Sequence, residues 1–338
     1  MVRVGINGFG RIGRAFFRAA WNDADIEIVG INDLGDANNL AYLLQYDSVY
    51  RTFPYAVRAE NGGLTVGDKR VHVSSEKDPS KLPWRELNVD VVVEGTGVFE
   101  SYEKASAHIT AGAKRVVITA PVKEDAPNGA TILVGVNEEK LATCEVSSNA
   151  SCTTNASSPL IAILDEKIGI EKALLNTTHA YTATQSIVDG PVKGSDMRRG
   201  RAAAQNIVPS STGAAVAVTK AYESLINKFD GISLRVPVVA GSIADITFIA
   251  KRDTTTEEVN QILKAAAAEE RWKGIFQASE EQLVSSDIIG NPHASIADLA
   301  MTRVVGGNLV KVLGWYDNES GYAHTLVRHV KAAGKYAK

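Results

Sequence analysis

Gly8-Phe9-Gly10-Arg11-Ile12-Gly13 is the feature that most narrows what this chain can become. It follows an apolar, β-branched run, Val2–Ile6, and opens a segment, Arg11–Trp21, in which Ile12, Ala15, Phe16, Ala19 and Ala20 share one face at helical spacing. A second strand-like run, Ile26–Ile31, comes next, and Asp33 stands just beyond it, twenty residues after Gly13. Glycines at this spacing are common and weak alone. A preceding strand, a following helix and an acid at that distance together specify a dinucleotide-binding βαβ unit. Gly8, Gly10 and Gly13 permit the tight turn and let backbone approach a pyrophosphate, while the helix start offers its free N–H groups. Asp33 predicts a carboxylate that accepts from ribose hydroxyls and repels a 2′-phosphate, which favours NAD over NADP.

The 338 residues are comfortable for two domains. Further short strands are expected at Val89–Val93, Arg115–Ile118, Thr131–Val134 and Glu145–Ser147, continuing a parallel sheet. The texture changes after Cys152. Longer runs, Gly231–Val239, Ala244–Ala250 and Asn308–Trp315, predict a largely antiparallel sheet, with Gly306-Gly307 as a hairpin turn. Thr254 and Glu257 have capping-box spacing ahead of a helix through Ala268. The expected fold is α/β: a Rossmann-type, mostly parallel N-terminal domain over 1–151 and an α+β catalytic domain over 152–318. A last helix, about 319–338, is expected to pack back on the first domain.

Composition removes several classes of function. Net charge is −3 with scattered Lys and Arg, so no basic face marks nucleic acid as a main partner. No apolar window is long enough to span a membrane, and the N-terminus does not look like a secretory leader, so a cytoplasmic location is expected. Two cysteines, Cys144 and Cys152, make neither a disulfide framework nor a metal cluster.

Ser151-Cys152-Thr153-Thr154-Asn155 precedes an apolar helical stretch, Ala156–Ile168. That places Cys152 at a helix N-terminus, where free N–H groups favour a thiolate and lower the thiol pKa. Cys144, at the start of a strand, is a packing residue. Of six histidines, His72, His108, His293, His324 and His329 lie in segments that look like surface strand or helix. His179 ends the run Ala173–Thr178 and opens the polar stretch Tyr181-Thr182-Ala183-Thr184-Gln185, which makes it the candidate base.

These segments resemble one family. Ile6–Arg14, Asn149–Asn155, His179–Gln185, Pro209-Ser210-Ser211-Thr212-Gly213-Ala214-Ala215 and Trp315-Tyr316-Asp317-Asn318-Glu319 are collinear with the NAD-dependent phosphorylating glyceraldehyde-3-phosphate dehydrogenases of glycolysis. The resemblance implies that Cys152 attacks the aldehyde, that His179 takes its proton as hydride leaves, and that inorganic phosphate cleaves the thioester. It places one phosphate on Thr182, Thr184 and Arg235, the other on Ser151, Thr153, Thr212 and the Gly213 backbone, with Arg199 near both. It gives Arg11, Ile12, Lys77, Thr96, Phe99, Thr119 and Asn318 to the cofactor, and it implies a homotetramer whose loop, about Tyr181–Gln205, crosses a subunit interface.

The sequence also departs from the family. Ala156 replaces a frequent second cysteine, Lys77 a frequent arginine and Ser320 a frequent tryptophan. Val239-Ala240-Gly241-Ser242 differs from the usual segment, and the loop 192–196 is one residue longer. Two alternatives stay open: an erythrose-4-phosphate dehydrogenase, which would hydrolyse the acyl intermediate, and a cofactor-binding interaction protein with vestigial catalytic residues.

Overall fold

The computed structural model describes residues 1–60, 62–192 and 194–337. Two compact units emerge, Met1–Ala150 with Ala323–Lys338, and Ser151–Tyr322.

The first unit alternates strand and helix: β1 (Val2–Asn7), α1 (Arg11–Ala20), β2 (Ile26–Asn32), α2 (Ala37–Gln45), then β3 (Val57–Glu60), β4 (Gly63–Val66), β5 (Lys69–Ser74) and β6 (Val91–Glu94). Two one-turn helices, α3 (Tyr102–Ala105) and α4 (Ala107–Thr110), precede β7 (Arg115–Ile118), β8 (Gly129–Thr131) and β9 (Val146–Ser148). The sheet order is β3-β4-β5-β2-β1-β6-β7-β9-β8, parallel except that β4 pairs antiparallel with both β3 and β5. The chain leaves β1 on one side for β2 and later returns on its other side as β6. The C-terminal ends of β1 and β6 therefore open a crevice where ligands of such sheets bind. β6 begins Val91-Val92-Val93, all fully buried, as a strand covered on both faces requires. The strand expected at Thr131–Val134 ends at Thr131 instead. Asn137 accepts from Leu133 N–H and donates to Thr131 C=O, and this side chain turns the backbone out of the ladder.

The second unit begins with α5 (Cys152–Ile168), followed by β10 (Ile170–Ala180), β11 (Val208–Ser211), α6 (Ala214–Ala221), β12 (Phe229–Val236), β13 (Ser242–Ala250) and α7 (Thr256–Ala267). Then come β14 (Phe276–Ser279), α8 (Ser285–Ile288), β15 (Ser295–Asp298), β16 (Arg303–Val305), β17 (Leu309–Tyr316) and α9 (Ser320–Gly334). The sheet runs β11-β12-β10-β13-β17-β15-β14, with β16 folded onto β17 through the turn where Gly306 and Gly307 have φ of 60° and 86°. Pairing is mostly antiparallel; β10 with β12 and β14 with β15 are parallel. Along β13 every second residue from Ser242 is buried, so one face of the sheet packs inward and the other is half-exposed. Helix α5, buried on nearly every side, lies on the inward face against β13, β15 and β17. The cap of α7 sits one residue later than its sequence pattern: Thr255 accepts from Glu258 N–H, while the Thr254 hydroxyl donates to the Glu258 carboxylate.

The end of α9 belongs to the first unit. Lys331 reaches Asp23 at 3.0 Å and Asp25 at 2.7 Å, and Gly334 sits so close to Val2 that a Cβ would meet its side chain at 2.4 Å. His329 is fully buried between Ser147 and Asn149, and His108 is likewise buried, so both differ from the surface positions their segments suggest. Each ring sits in a buried polar cluster, which a helical pattern does not reveal.

Candidate active site

In the first unit the glycine turn is held by its own backbone and one carboxylate. Gly8 donates its N–H to Asn32 C=O and takes φ +91°, a conformation side chains rarely adopt. A Cβ on Gly13 would lie 2.2 Å from the Gly8 carbonyl oxygen, whereas one on Gly10 would meet nothing within 4 Å. The turn is therefore tight inside and open outside, a cradle that fits a pyrophosphate. Asp33 accepts from Phe9 N–H at 2.7 Å and Gly35 N–H at 2.8 Å, which fixes its carboxylate at the end of β2. Arg11 pairs with Asp47, and Ile12 is half-buried in the first turn of α1. Beyond β6, Glu94 takes Thr96 N–H and hydroxyl, His108 packs edge-on against Phe99, and Thr119 N–H donates to Glu94 C=O. Lys77 is exposed beyond β5. These residues can hold a dinucleotide.

In the second unit Ser151 caps α5 by accepting from Thr154 N–H, so Cys152 is its first residue. Alternation along β10 turns Thr177 and His179 to the inward face. The His179 Nε2 atom lies 3.3 Å from Cys152 Sγ. Its Nδ1 stands 2.6 Å from Ala180 C=O. With the proton on Nδ1, donated to that carbonyl, the Nε2 lone pair faces the thiol. Arg235 Nη1 lies 2.9 Å from the same Nδ1 and 3.3 Å from Ala180 C=O.

The electrostatics differ from the sequence expectation of a lowered thiol pKa. Burial pushes the Cys152 thiol up, against the pull of Arg235 and of hydrogen bonds from Thr153. Burial, and then Arg235, push His179 down to about 3. Burial thus disfavours the charged form of both groups. Proton transfer to Nε2 can then accompany attack by the sulfur.

The anion-binding candidates divide into groups. Thr182 and Thr184 hydroxyls are 3.0 Å apart, and Arg199, rather than Arg235, donates to Thr184, at 3.4 Å, and to Ser210, at 3.0 Å. Arg235 stays at His179, with a buried Nε that has no partner among the described residues. Thr212 accepts from Ala214 N–H, and Gly213, open to solvent, leads into α6. Thr154 ties the start of α6 to that of α5 by donating to Ala214 C=O and contacting the Ser151 hydroxyl at 2.7 Å. Thr153 is buried, its hydroxyl on Tyr316. Asn318 accepts from the Ser242 hydroxyl at 3.0 Å, which itself accepts from Ala180 N–H. The loop at 192–196 includes Lys193, which lies outside the described residues.

Sequence reasoning missed Thr177, Ser242 and the hydroxyl of Tyr316. The sequence marks them only as polar residues within otherwise apolar strands, and their partners are set by register.

Comparison with known proteins bears on the whole chain. The family model for the glyceraldehyde 3-phosphate dehydrogenase NAD-binding domain matches residues 2–102, and that for the C-terminal domain matches 151–318. Glyceraldehyde-3-phosphate dehydrogenase 2 of Streptomyces avermitilis is 49% identical over 329 residues, covering 96% of both chains. Glyceraldehyde-3-phosphate dehydrogenase 1 of Bacillus subtilis is 48% identical over 328 residues, again 96% of both. The Thermotoga maritima enzyme is 49% identical over 330 residues, 97% of both. No helix among the described residues is long and apolar enough to cross a membrane.

Proposed function

The chain belongs to the glyceraldehyde-3-phosphate dehydrogenase family, and from that premise we propose how its residues divide the work. It is an NAD-dependent dehydrogenase of glyceraldehyde 3-phosphate. Residues 1–151 with the last helix carry the cofactor, and 152–318 carry the chemistry. When bound, NAD supplies the hydride acceptor; Gly8, Gly10 and Gly13 leave room for its pyrophosphate, and Asp33 binds its ribose. Asn318, whose carbonyl is committed to Ser242, offers an amide N–H₂ to the carboxamide.

Cys152 attacks the aldehyde carbon while its proton passes to His179 Nε2 and on to the new oxyanion, giving a thiohemiacetal beside an imidazole that is neutral again. The same imidazole then takes the hydroxyl proton as the aldehyde hydrogen leaves as hydride, which leaves a thioester on Cys152. Inorganic phosphate attacks that thioester, and the thiolate departs with 1,3-bisphosphoglycerate as product. The two phosphates are bound by Thr182, Thr184, Arg199 and Arg235, and by Ser151, Thr153, Thr212 and Gly213. The single observation that carries this assignment is the 3.3 Å approach of Nε2 to Sγ with the ring held through Nδ1 at Ala180 C=O. The assay is NADH formation from the triose phosphate with and without inorganic phosphate, NADP serving as comparison. Phosphate-independent turnover would favour a hydrolytic aldehyde dehydrogenase instead.

The protein is also proposed to be a cytoplasmic homotetramer. Leu174 and Ile232 are 66% and 55% exposed on the outer face of the second sheet, beside an apolar groove of about 860 Å³ that includes Val216, Ile226 and Leu309. A second copy of the chain would cover such a face. Light scattering of the wild type and of a Leu174→Glu, Ile232→Glu double variant tests this: a monomeric wild type would end the proposal.

A further inference from the structure

Tyr316 closes β17 and shares the inward face of the sheet with Thr177 and His179. Its register partner on β13 is Ser242, and Ala244, two residues on, lies opposite Thr177 of β10. The small Ala244 side chain leaves the tyrosine room to reach across β13. The Tyr316 hydroxyl lies 2.8 Å from Thr177 Oγ1 and 2.8 Å from Thr153 Oγ1, all three residues being buried. Thr153 Oγ1 in turn lies 4.0 Å from Cys152 Sγ, and the tyrosine ring meets the His179 ring edge-on at 5.9 Å. One side chain thus touches the base and, through one hydroxyl, the nucleophile.

A hydroxyl has one proton to give, so a chain of three can donate in one direction at a time. When sulfur carries negative charge, the favoured direction is Thr177 to Tyr316 to Thr153 to Sγ. We propose that Tyr316 is a positioning residue for the nucleophile: it accepts from Thr177 and donates to Thr153, aiming the Thr153 O–H at the sulfur and stabilising its thiolate form. Such aligned hydroxyls polarise one another in a dry interior. Burial and the neighbouring Cys152 push the tyrosine well above its ordinary value, so it remains a donor wherever the enzyme works. Thr153 then serves the sulfur directly, beside any contact of its backbone with phosphate. The inference rests on Cys152 being the nucleophile.

The test is the pH profile of Cys152 alkylation by iodoacetamide in the full-length protein, with the labelled cysteine located by mass spectrometry. Tyr316→Phe keeps the ring against His179 and removes only the oxygen. Its thiol titration should move up by about one pH unit, a roughly tenfold slower alkylation below that pH. Thr153→Val should give the same displacement and Thr153→Ser should restore the wild-type profile. A Tyr316→Phe profile superimposed on the wild type, or a Thr153→Val profile that does not move, overturns the hydroxyl line. Turnover in Cys152→Ser tests the nucleophile itself, so the two failures are distinguishable.

Discussion

The two units bind and react by different physical means. In the first, a dinucleotide site is built largely from backbone in one βαβ unit: Gly8 at φ +91°, Gly13 with no space for a Cβ, and Asp33, at the end of the next strand, latched by the N–H groups of Phe9 and Gly35. In the second, the reacting groups come from the start of α5, the end of β10, β12 and β17, and are brought together only by the sheet. Local sites tolerate change in distant packing but not a methyl group in the turn. Convergent sites depend on single polar atoms, each replaceable without harm to the fold. Substitutions in the two units should therefore fail differently.

The sharpest contrast is Cys152→Ser, which should abolish dehydrogenation while leaving NAD affinity within about twofold, because its loss removes a covalent step and not a binding contact. Substantial remaining turnover would show that the bond forms elsewhere. His179→Asn comes next, with a loss of roughly 10²–10⁴ in the rate of hydride transfer, the usual contribution of a general acid–base group. Single-turnover NADH formation reports it, and an unchanged rate removes the imidazole from the mechanism. In the first unit Gly13→Ala reverses the pattern. Its Cβ would stand 2.2 Å from the Gly8 carbonyl, so the turn must shift, and NAD binding should weaken by about 10²-fold, or about 3 kcal/mol. Alkylation of Cys152 without cofactor should be unaffected, and a slowed reaction there would break the division between the units.

This division also governs what was legible in the sequence. The glycine turn, Asp33 and the parallel strands were readable because their determinants lie close together in sequence. Cys152 was readable as a helix start because Ser151 precedes it and an apolar stretch follows. Tyr316 and Ser242 were not, since they matter only through register: Ser242 pairs with Tyr316, and Thr177 with Ala244. No periodicity in one strand tells which residue of another strand stands opposite. The depressed base was hidden for the same reason, because its burial and its Arg235 neighbour are properties of the assembled sheet. His329 illustrates a further limit, a polar residue on a helix whose covering strand lies 182 residues earlier in the chain.

Buried histidines give both units a common weakness in acid. Burial pushes His329 from an ordinary 6.5 down to about 3, and His179 is lowered to a similar value. Unfolding lets each ring take up a proton in the interval between those values, so the unfolded chain binds more protons there. Stability is complete above about pH 6.5 and is lost as pH falls from there toward 3. Thermal unfolding followed across that interval should show Tm dropping less steeply for His329→Gln than for the wild type. Equal slopes would mean that the ring is protonated in the folded protein.

The smallest effect expected is at Asp33, and it separates recognition from scaffold. Its two oxygens already accept from Phe9 and Gly35, so the side chain shapes the turn as well as meeting the ribose. Asp33→Ser removes the charge and keeps a hydroxyl that can accept from only one of those amides. NAD affinity should fall by about tenfold, in keeping with the loss of one charge-assisted hydrogen bond. Affinity for NADP should fall less or rise, because the repulsion of the 2′-phosphate disappears with the carboxylate. The ratio of the two dissociation constants is therefore the informative quantity. If both cofactors weaken by the same factor, Asp33 acts through the backbone of the turn alone, and the selectivity for NAD has another source.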